Sequence, residues 1–158
     1  MLMLSTAARE YRPQPSNWSL PRFLLRRWLR DRWALVFSHP DDFANYGFEA
    51  DRWIGQVKEA LDGDSIAAVA ISARAPGDDD GWITAVGGCF ISPRTFDSIV
   101  SHCSDAECVS AYRSSGRRFV IVLDDALQLR RTFLYSGADN VPSPIGLAAL
   151  AASCRLRA

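Results

Sequence analysis

The chain of 158 residues is 48% hydrophobic and 23% charged, and its 18 basic and 18 acidic side chains balance to a net charge of zero. This length fits one domain with a substantial core, and the composition excludes a disordered tail. Its longest apolar runs are far shorter than the roughly 20 residues that span a bilayer, and its first residues lack the pattern of a secretory signal, so we expect a cytoplasmic protein without a membrane partner.

Charge is distributed unevenly along the chain. Residues 1–32 carry seven arginines against two acids, whereas residues 33–110 carry thirteen acids against four bases. This asymmetry indicates charge complementarity, either within the chain or with a second copy or another protein. The basic run at residues 22–32 is the only candidate for nucleic-acid binding, which normally needs a larger basic excess, so we expect no nucleic-acid partner.

The first 32 residues divide into an arm and a helix. Residues 1–19 are polar and proline-rich and predict an extended arm, which leaves residues 20–158 as a single domain. Ser19 and Pro21 together are typical of a helix start. Apolar residues at helical spacing then predict the buried face of a surface helix, with arginines on the remaining surface. This apolar stripe consists of Leu20, Phe23, Leu24 and Trp28.

Two short apolar runs predict buried strands. Residues 33–38 (WALVFS) and 65–72 (SIAAVAIS) flank a helical stripe over 48–61, and a loop follows at 74–81. A strand, a helix and a second strand in this order imply a parallel pair with a right-handed crossover.

The second half of the chain adds a hairpin and a closing helix. Within 82–117 we expect helices near 82–86 and 105–114 and a turn at Ser92-Pro93. Residues 118–135 predict an antiparallel hairpin around Asp124-Asp125. Ser143-Pro144 then begins a helix over 145–156. The whole order is that of an α/β thioredoxin-like fold with a central mixed sheet flanked by helices. In the hairpin's second strand the alternating apolar positions are Leu127, Leu129, Phe133 and Tyr135.

Four cysteines supply the candidate thiols, and in a cytosolic protein they are expected to be reduced. Cys89 lies after two glycines that would let a partner approach. Cys103 and Cys108 are five residues apart, which on one helix directs them to different faces, so they can form a disulfide only if that stretch is not a regular helix.

Residues 33–49 (WALVFSHPDDFANYGFE) resemble the active-site strand and loop of peroxiredoxins, especially the one-cysteine branch, where a strand ends in Ser-His-Pro. The family pattern continues from proline through a threonine to the reactive cysteine. Here His39 and Pro40 match, Ala44 stands at the threonine position, and Gly47 stands at the cysteine position. The resemblance therefore implies a degenerate active-site loop without its nucleophile.

Residues 118–137 resemble the family's late hairpin, and residues 96–112 loosely resemble an intermediate segment. The resemblance implies a peroxiredoxin-type fold and gives Arg118 the position of the active-site arginine. With a helix N-terminus beside it, Arg118 could hold an anion. It also implies a loss of peroxidase chemistry, because a thiolate attacks the peroxide and Gly47 has no sulfur.

Two functions remain open at this point. The first is a binding or protein-association module, and the second is a thiol-dependent antioxidant oxidoreductase that uses Cys89 or the Cys103/Cys108 pair. A zinc-dependent deacetylase reading of the loop that begins at His39 needs a further histidine, and only His102 exists. We therefore expect neither a metal nor another cofactor.

Overall fold

A computed structural model describes residues 20–38, 50–72, 89–114, 119–134 and 142–157, and within them a five-stranded mixed sheet has the order β3-β2-β1-β4-β5. Strand β1 pairs in parallel with β2, which pairs in parallel with β3, whereas β4 runs antiparallel to both β1 and β5. The predicted mixed sheet is confirmed. The strands are β1 (Trp33–Phe37), β2 (Ile66–Ile71), β3 (Phe90–Ile91), β4 (Phe119–Leu123) and β5 (Leu129–Leu134).

Helices cover both faces of the sheet. The described helices are α1 (Arg22–Leu29), α2 (Ala50–Ala60), α3 (Pro93–Ser101), α4 (Ala106–Arg113) and α5 (Pro144–Leu156). Every residue of β1, β2 and β4 is buried, as expected for strands enclosed between two layers. Because strand side chains alternate between faces, Leu35 and Phe37 join a first core cluster with α2 and α5, and Val36 joins a second with α1 and α3.

Most of the predicted elements are confirmed. The unit β1-α2-β2, the β4–β5 hairpin, helix α4 and helix α5 lie where the sequence predicts them. The predicted N-terminal arm at 1–19, the loop at 74–81 and the helix at 82–86 fall outside the described residues. None of the described helices is long and apolar enough to cross a membrane.

The predicted stripe of α1 is wrong at Phe23, whereas Leu20 and Trp28 pack against the second core cluster as predicted. Leu25 and Leu29 are the buried residues of the helix, whereas Phe23 is 70% exposed. The end of the helix contacts a distant segment. The helix ends in left-handed backbone, and the guanidinium of Arg32 then donates to the carbonyls of Leu29 (2.8 Å), Trp28 (3.3 Å) and Gly63 (3.2 Å).

The predicted turn at Ser92-Pro93 is also wrong, because these residues begin α3. The Ser92 hydroxyl accepts the backbone N–H of Thr95 at 3.1 Å, and Pro93 occupies the first helical turn. A proline has no N–H to leave unsatisfied there, so this dipeptide favours a helix start. The same chemistry at Ser143, whose hydroxyl accepts from Gly146 at 3.0 Å, begins α5 as predicted.

The predicted alternation along β5 is interrupted by a bulge. Leu123 pairs with Leu129, but Val122 pairs with Arg131, so one additional residue is inserted at Arg130. The insertion moves the following residues to the other face. Leu129 therefore joins the second cluster while Phe133 packs against the first.

Candidate functional site

The carboxyl end of β1 is bonded directly to the start of β4. The Ser38 N–H donates to the Phe119 carbonyl at 3.2 Å, and the Phe119 N–H donates to the Ser38 hydroxyl at 3.2 Å. Ser38 is buried, so the backbone N–H of Phe119 depends on this side chain for its partner. Residue 39 follows Ser38 in the chain and residue 118 precedes Phe119, so each is the chain neighbour of one member of this hydrogen-bonded pair.

Helix α2 is fixed relative to the same strand end on the first face of the sheet. Phe37, the last residue of β1, packs edge to face on Trp53 with ring centroids 6.0 Å apart. The indole N–H of Trp53 donates to the Pro142 carbonyl at 2.9 Å, which ties α2 to the approach to α5. The segment 39–49 therefore connects two anchored elements at the carboxyl ends of parallel strands, where ligands bind in open α/β sheets.

An aromatic cluster supports the strand end on the second face. Tyr112 of α4 packs edge to face on Phe96 of α3 and on Phe119, with centroids 5.1 and 5.3 Å apart, and Phe96 stacks on Phe119 at 5.8 Å. Burial raises the pKa of the Tyr112 phenol, and the nearby Asp97 carboxylate raises it further. Tyr112 therefore remains a neutral hydroxyl at neutral pH.

The residues of the predicted degenerate loop and the predicted active-site arginine lie outside the described residues. These are His39, Pro40, Ala44, Gly47 and Arg118. Their roles, and a pocket shared by Gly47 and Arg118, stay predictions. Their described flanks are Ser38, Ala50 and Phe119.

All four cysteines lie in the described part of the chain, and none forms a disulfide. Cys89 is completely buried in the second core cluster, just before β3, and its carbonyl accepts the N–H of Ala70 at 3.0 Å. A buried thiol among apolar side chains is chemically inert unless the fold opens. Cys154 lies on α5 and packs against the first cluster.

The thiols of Cys103 and Cys108 both point at the β4–β5 hairpin. The Cys103 thiol donates to the carbonyls of Ile99 (3.3 Å) and Leu127 (3.6 Å), and that of Cys108 donates to the Arg130 carbonyl (3.6 Å). Cys103 lies in the link between α3 and α4, so the two cysteines do not share one helix. The prediction that a common helix would separate their faces therefore does not apply.

These two thiols lie far along the sheet from Ser38. The hairpin turn follows Leu123, which pairs with Ala34 near the amino end of β1, whereas Ser38 follows its carboxyl end. Burial raises the pKa of both thiols, and the Asp105 carboxylate further raises that of Cys108. Both are therefore held as neutral thiols, the less nucleophilic form.

Asp124, predicted from the sequence only as part of a turn, is buried at the start of the hairpin loop. Its buried carboxylate accepts the N–H groups of Ala126 and Gln128, each at 2.9 Å, and the Nε of Arg130 at 2.9 Å. With both oxygens bonded inside the hairpin, Asp124 closes the turn. An acidic residue immediately after an apolar strand was the available sequence signal.

Among the described residues, His102 belongs to no group of potential metal ligands. It lies exposed at the C-cap of α3, with its Nδ1 2.7 Å from the Ser98 carbonyl oxygen. Within the described ranges no group of three or more His, Cys, Asp or Glu side chains could hold a metal ion.

Comparison with known proteins gives structural matches alone. No family model matches the chain, and no curated protein matches its sequence. One similar structure is a one-cysteine peroxiredoxin of yeast mitochondria, which was studied for its thiol-resolving mechanism via glutathione and thioredoxin systems. The TM-score is 0.53 and the sequence identity is 16%, and the match covers 84% of this chain and 68% of that one.

A second similar structure is a cysteine-to-serine mutant of Peroxiredoxin 6 of Arenicola marina, with a TM-score of 0.50 and 19% identity over 84% of this chain and 66% of that one. The chain thus spans about two thirds of the length of each. These likenesses confirm the predicted thioredoxin-like fold of the peroxiredoxin type. At such low identity they concern the fold alone.

Proposed function

We propose that this chain is a peroxiredoxin-like protein that lacks the standard peroxidatic cysteine and works by binding or protein association. The observation that carries the proposal is the pair Ala44 and Gly47, at the positions where the family pattern has its threonine and cysteine. The peroxiredoxin-type fold supports this alignment, because strand β1 precedes the loop and α2 follows it. A glycine provides no thiolate to attack a peroxide.

The positions of the four thiols support the proposal further. Cys89 is enclosed in the core, and Cys103 and Cys108 face the hairpin at the distant end of the sheet. Peroxide reduction needs an accessible thiolate, whereas burial favours the neutral thiol at both hairpin positions. None of these three thiols is therefore an accessible thiolate that could replace the cysteine missing at position 47.

A peroxide-consumption assay with a thiol reductant tests the lost chemistry. We expect the wild-type protein to consume peroxide no faster than a variant in which all four cysteines are serine. Turnover in the wild-type protein that disappears in Cys89→Ser or in Cys103→Ser/Cys108→Ser would refute the proposal. It would establish the second candidate function, a thiol-dependent oxidoreductase.

One observation favours that second candidate, namely that Cys103 and Cys108 approach the same hairpin and are both only half-buried. In such an enzyme one thiolate attacks the peroxide, which releases an alcohol or water and leaves a sulfenic acid. The second thiol condenses with it and releases water, and two reductant thiols then restore the pair as they are oxidised to a disulfide. The raised pKa of both thiols opposes the first step.

The retained pocket is tested separately from the lost nucleophile. In Ala44→Thr/Gly47→Cys we expect a thiol with a lowered pKa, because Arg118 and the start of α2 would stabilise its thiolate. Adding Arg118→Met should raise that pKa. The rate of alkylation against pH, measured in the background without the four native cysteines, gives both values. Equal values with and without Arg118 would contradict its place in the pocket.

A further inference from the structure

Helix α5 carries an apolar stripe beside the face that it buries against the sheet. Leu147 and Ala151 are buried against the sheet, but Ile145 is 76% exposed and Leu156 is 81% exposed. Leu150 of the same helix is 38% exposed and lies on another side. Scattered apolar side chains on a surface are ordinary, but Ile145 and Leu156 lie on one line. At 3.6 residues per turn, Leu156 lies three turns beyond Ile145 on the same side, and the exposed Ala149 and Ala152 lie between them.

The stripe borders a groove of about 410 Å³ between α5 and the end of α2. The α5 side of the groove includes Ala149 and Ala152, and the opposite wall includes Ala60 and Leu61. The small alanines leave room for another helix to approach closely, because interaxial distance depends on the side chains at the contact.

The order of residues in the stripe is symmetric. The point halfway between Ile145 and Leu156 is also the point halfway between Ala149 and Ala152. The stripe therefore has two small residues near its centre and one large residue at each end. Two such helices that cross antiparallel about this midpoint place Ile145 against Leu156 of the other copy and alanine against alanine. A twofold contact requires a self-complementary patch, and this stripe satisfies that condition.

Charge at the groove is compatible with self-association. Asp62 and Arg155 both line it, so the patch contains one acid and one base. Two patches of a single sign would repel each other, whereas a mixed patch can pair with itself. The Asp62 carboxylate is fixed by the Ser65 hydroxyl at 3.0 Å and by the N–H of Asp64 at 3.2 Å.

We propose that the α5 stripe (Ile145, Ala149, Ala152 and Leu156) is the surface through which two copies of this chain form an antiparallel dimer. The inference rests on the association part of the proposed function and names the partner as a second copy. The contact is small, because four side chains and the groove wall fall short of the roughly 800 Å² per partner of a standard interface, so we expect a dissociation constant in the micromolar range.

Sedimentation over a concentration series up to about 100 μM, where a micromolar contact is saturated, measures the dimer. We expect Ile145→Glu and Leu156→Lys each to weaken it at least about tenfold, because each places an unpaired charge against an apolar side chain twice per dimer. The double variant Ile145→Glu/Leu156→Lys should recover affinity, since antiparallel pairing brings the opposite charges together. The control Phe23→Glu changes an equally exposed residue outside α5 and should leave the mass unchanged.

Three results would overturn the proposal: a wild-type protein that is monomeric throughout the series, single variants with wild-type affinity, or a double variant no tighter than the singles. Parallel pairing would put like charges together and gives the last result. A small apolar ligand or residues 1–19 in the groove would give the first. The peroxide assay is independent of mass, so failure of the dimer and failure of the proposed function are distinguishable.

Discussion

Replacing Asp124 tests how the β4–β5 hairpin is closed. In Asp124→Ala two backbone N–H groups lose a charged acceptor, and each hydrogen bond to a charged group contributes about 1.5–3 kcal/mol. Ala126 is exposed, so water can accept its N–H in the variant and reduce the loss of unfolding free energy. The side chain of Arg130 is 49% exposed, which limits its ion pair with Asp124 to about 1 kcal/mol or less. We expect a decrease of about 3 kcal/mol in the free energy of unfolding.

Two matched variants separate the contributions. Asp124→Asn keeps an oxygen acceptor for both N–H groups and loses the charge, so it should cost about 1 kcal/mol, and Arg130→Met should cost no more than that. Urea unfolding followed by circular dichroism gives all three values. If Asp124→Ala lowers the free energy of unfolding no more than Asp124→Asn does, the carboxylate does not stabilise the hairpin through its hydrogen bonds to the backbone, and the prediction is refuted.

Three further predictions concern the α3 cap and the thiols. Ser92→Ala should cost about 1 kcal/mol of unfolding free energy because the N–H of Thr95 loses its acceptor, while Ser92→Thr should cost less; equal losses in urea would contradict the cap. In single-cysteine variants at neutral pH, Cys103 and Cys108 should be alkylated more slowly than an unstructured thiol. Cys89 should be alkylated only when the protein opens. Rapid labelling of Cys103 would disprove this prediction. The pKa of both hairpin thiols is higher in the folded state than in the unfolded state. As the pH rises through the ordinary thiol range, the unfolded state therefore releases protons that the folded state retains. The free energy of unfolding should decrease over this range.

The sequence predicted the central sheet because its signal is local. The runs at 33–37, 66–71 and 119–123 are continuously apolar, and strands buried on both faces need no other pattern. Ser143-Pro144 likewise predicted the start of α5 from a local signal, because an N-cap and a proline act within one helical turn. Ser92-Pro93 has the same chemistry, but strand β3 before it has only two residues and gives no periodic signal to place the helix that follows.

What the sequence did not predict depends on contacts between distant segments. Phe23 fits the helical spacing of α1 but is exposed, and the hydrogen bond from Arg32 to the Gly63 carbonyl joins segments that local spacing does not relate. The bulge at Arg130 accompanies a bond to Asp124, six residues earlier, so simple alternation misassigned Phe133. For the candidate site, the structure brings Ser38 and Phe119 together, while Gly47 and Arg118 stay predictions from the resemblance.

The guanidinium of Arg32 has a consequence for how the protein opens. It binds the last turn of α1, stacks at 4.9 Å over the Trp28 ring, and reaches the turn that leads into β2. An eight-residue helix has little stability of its own, so α1 persists through such tertiary contacts. The first helix and the entrance to β2 are therefore expected to unfold locally as one cooperative unit, although more than thirty residues separate them in sequence.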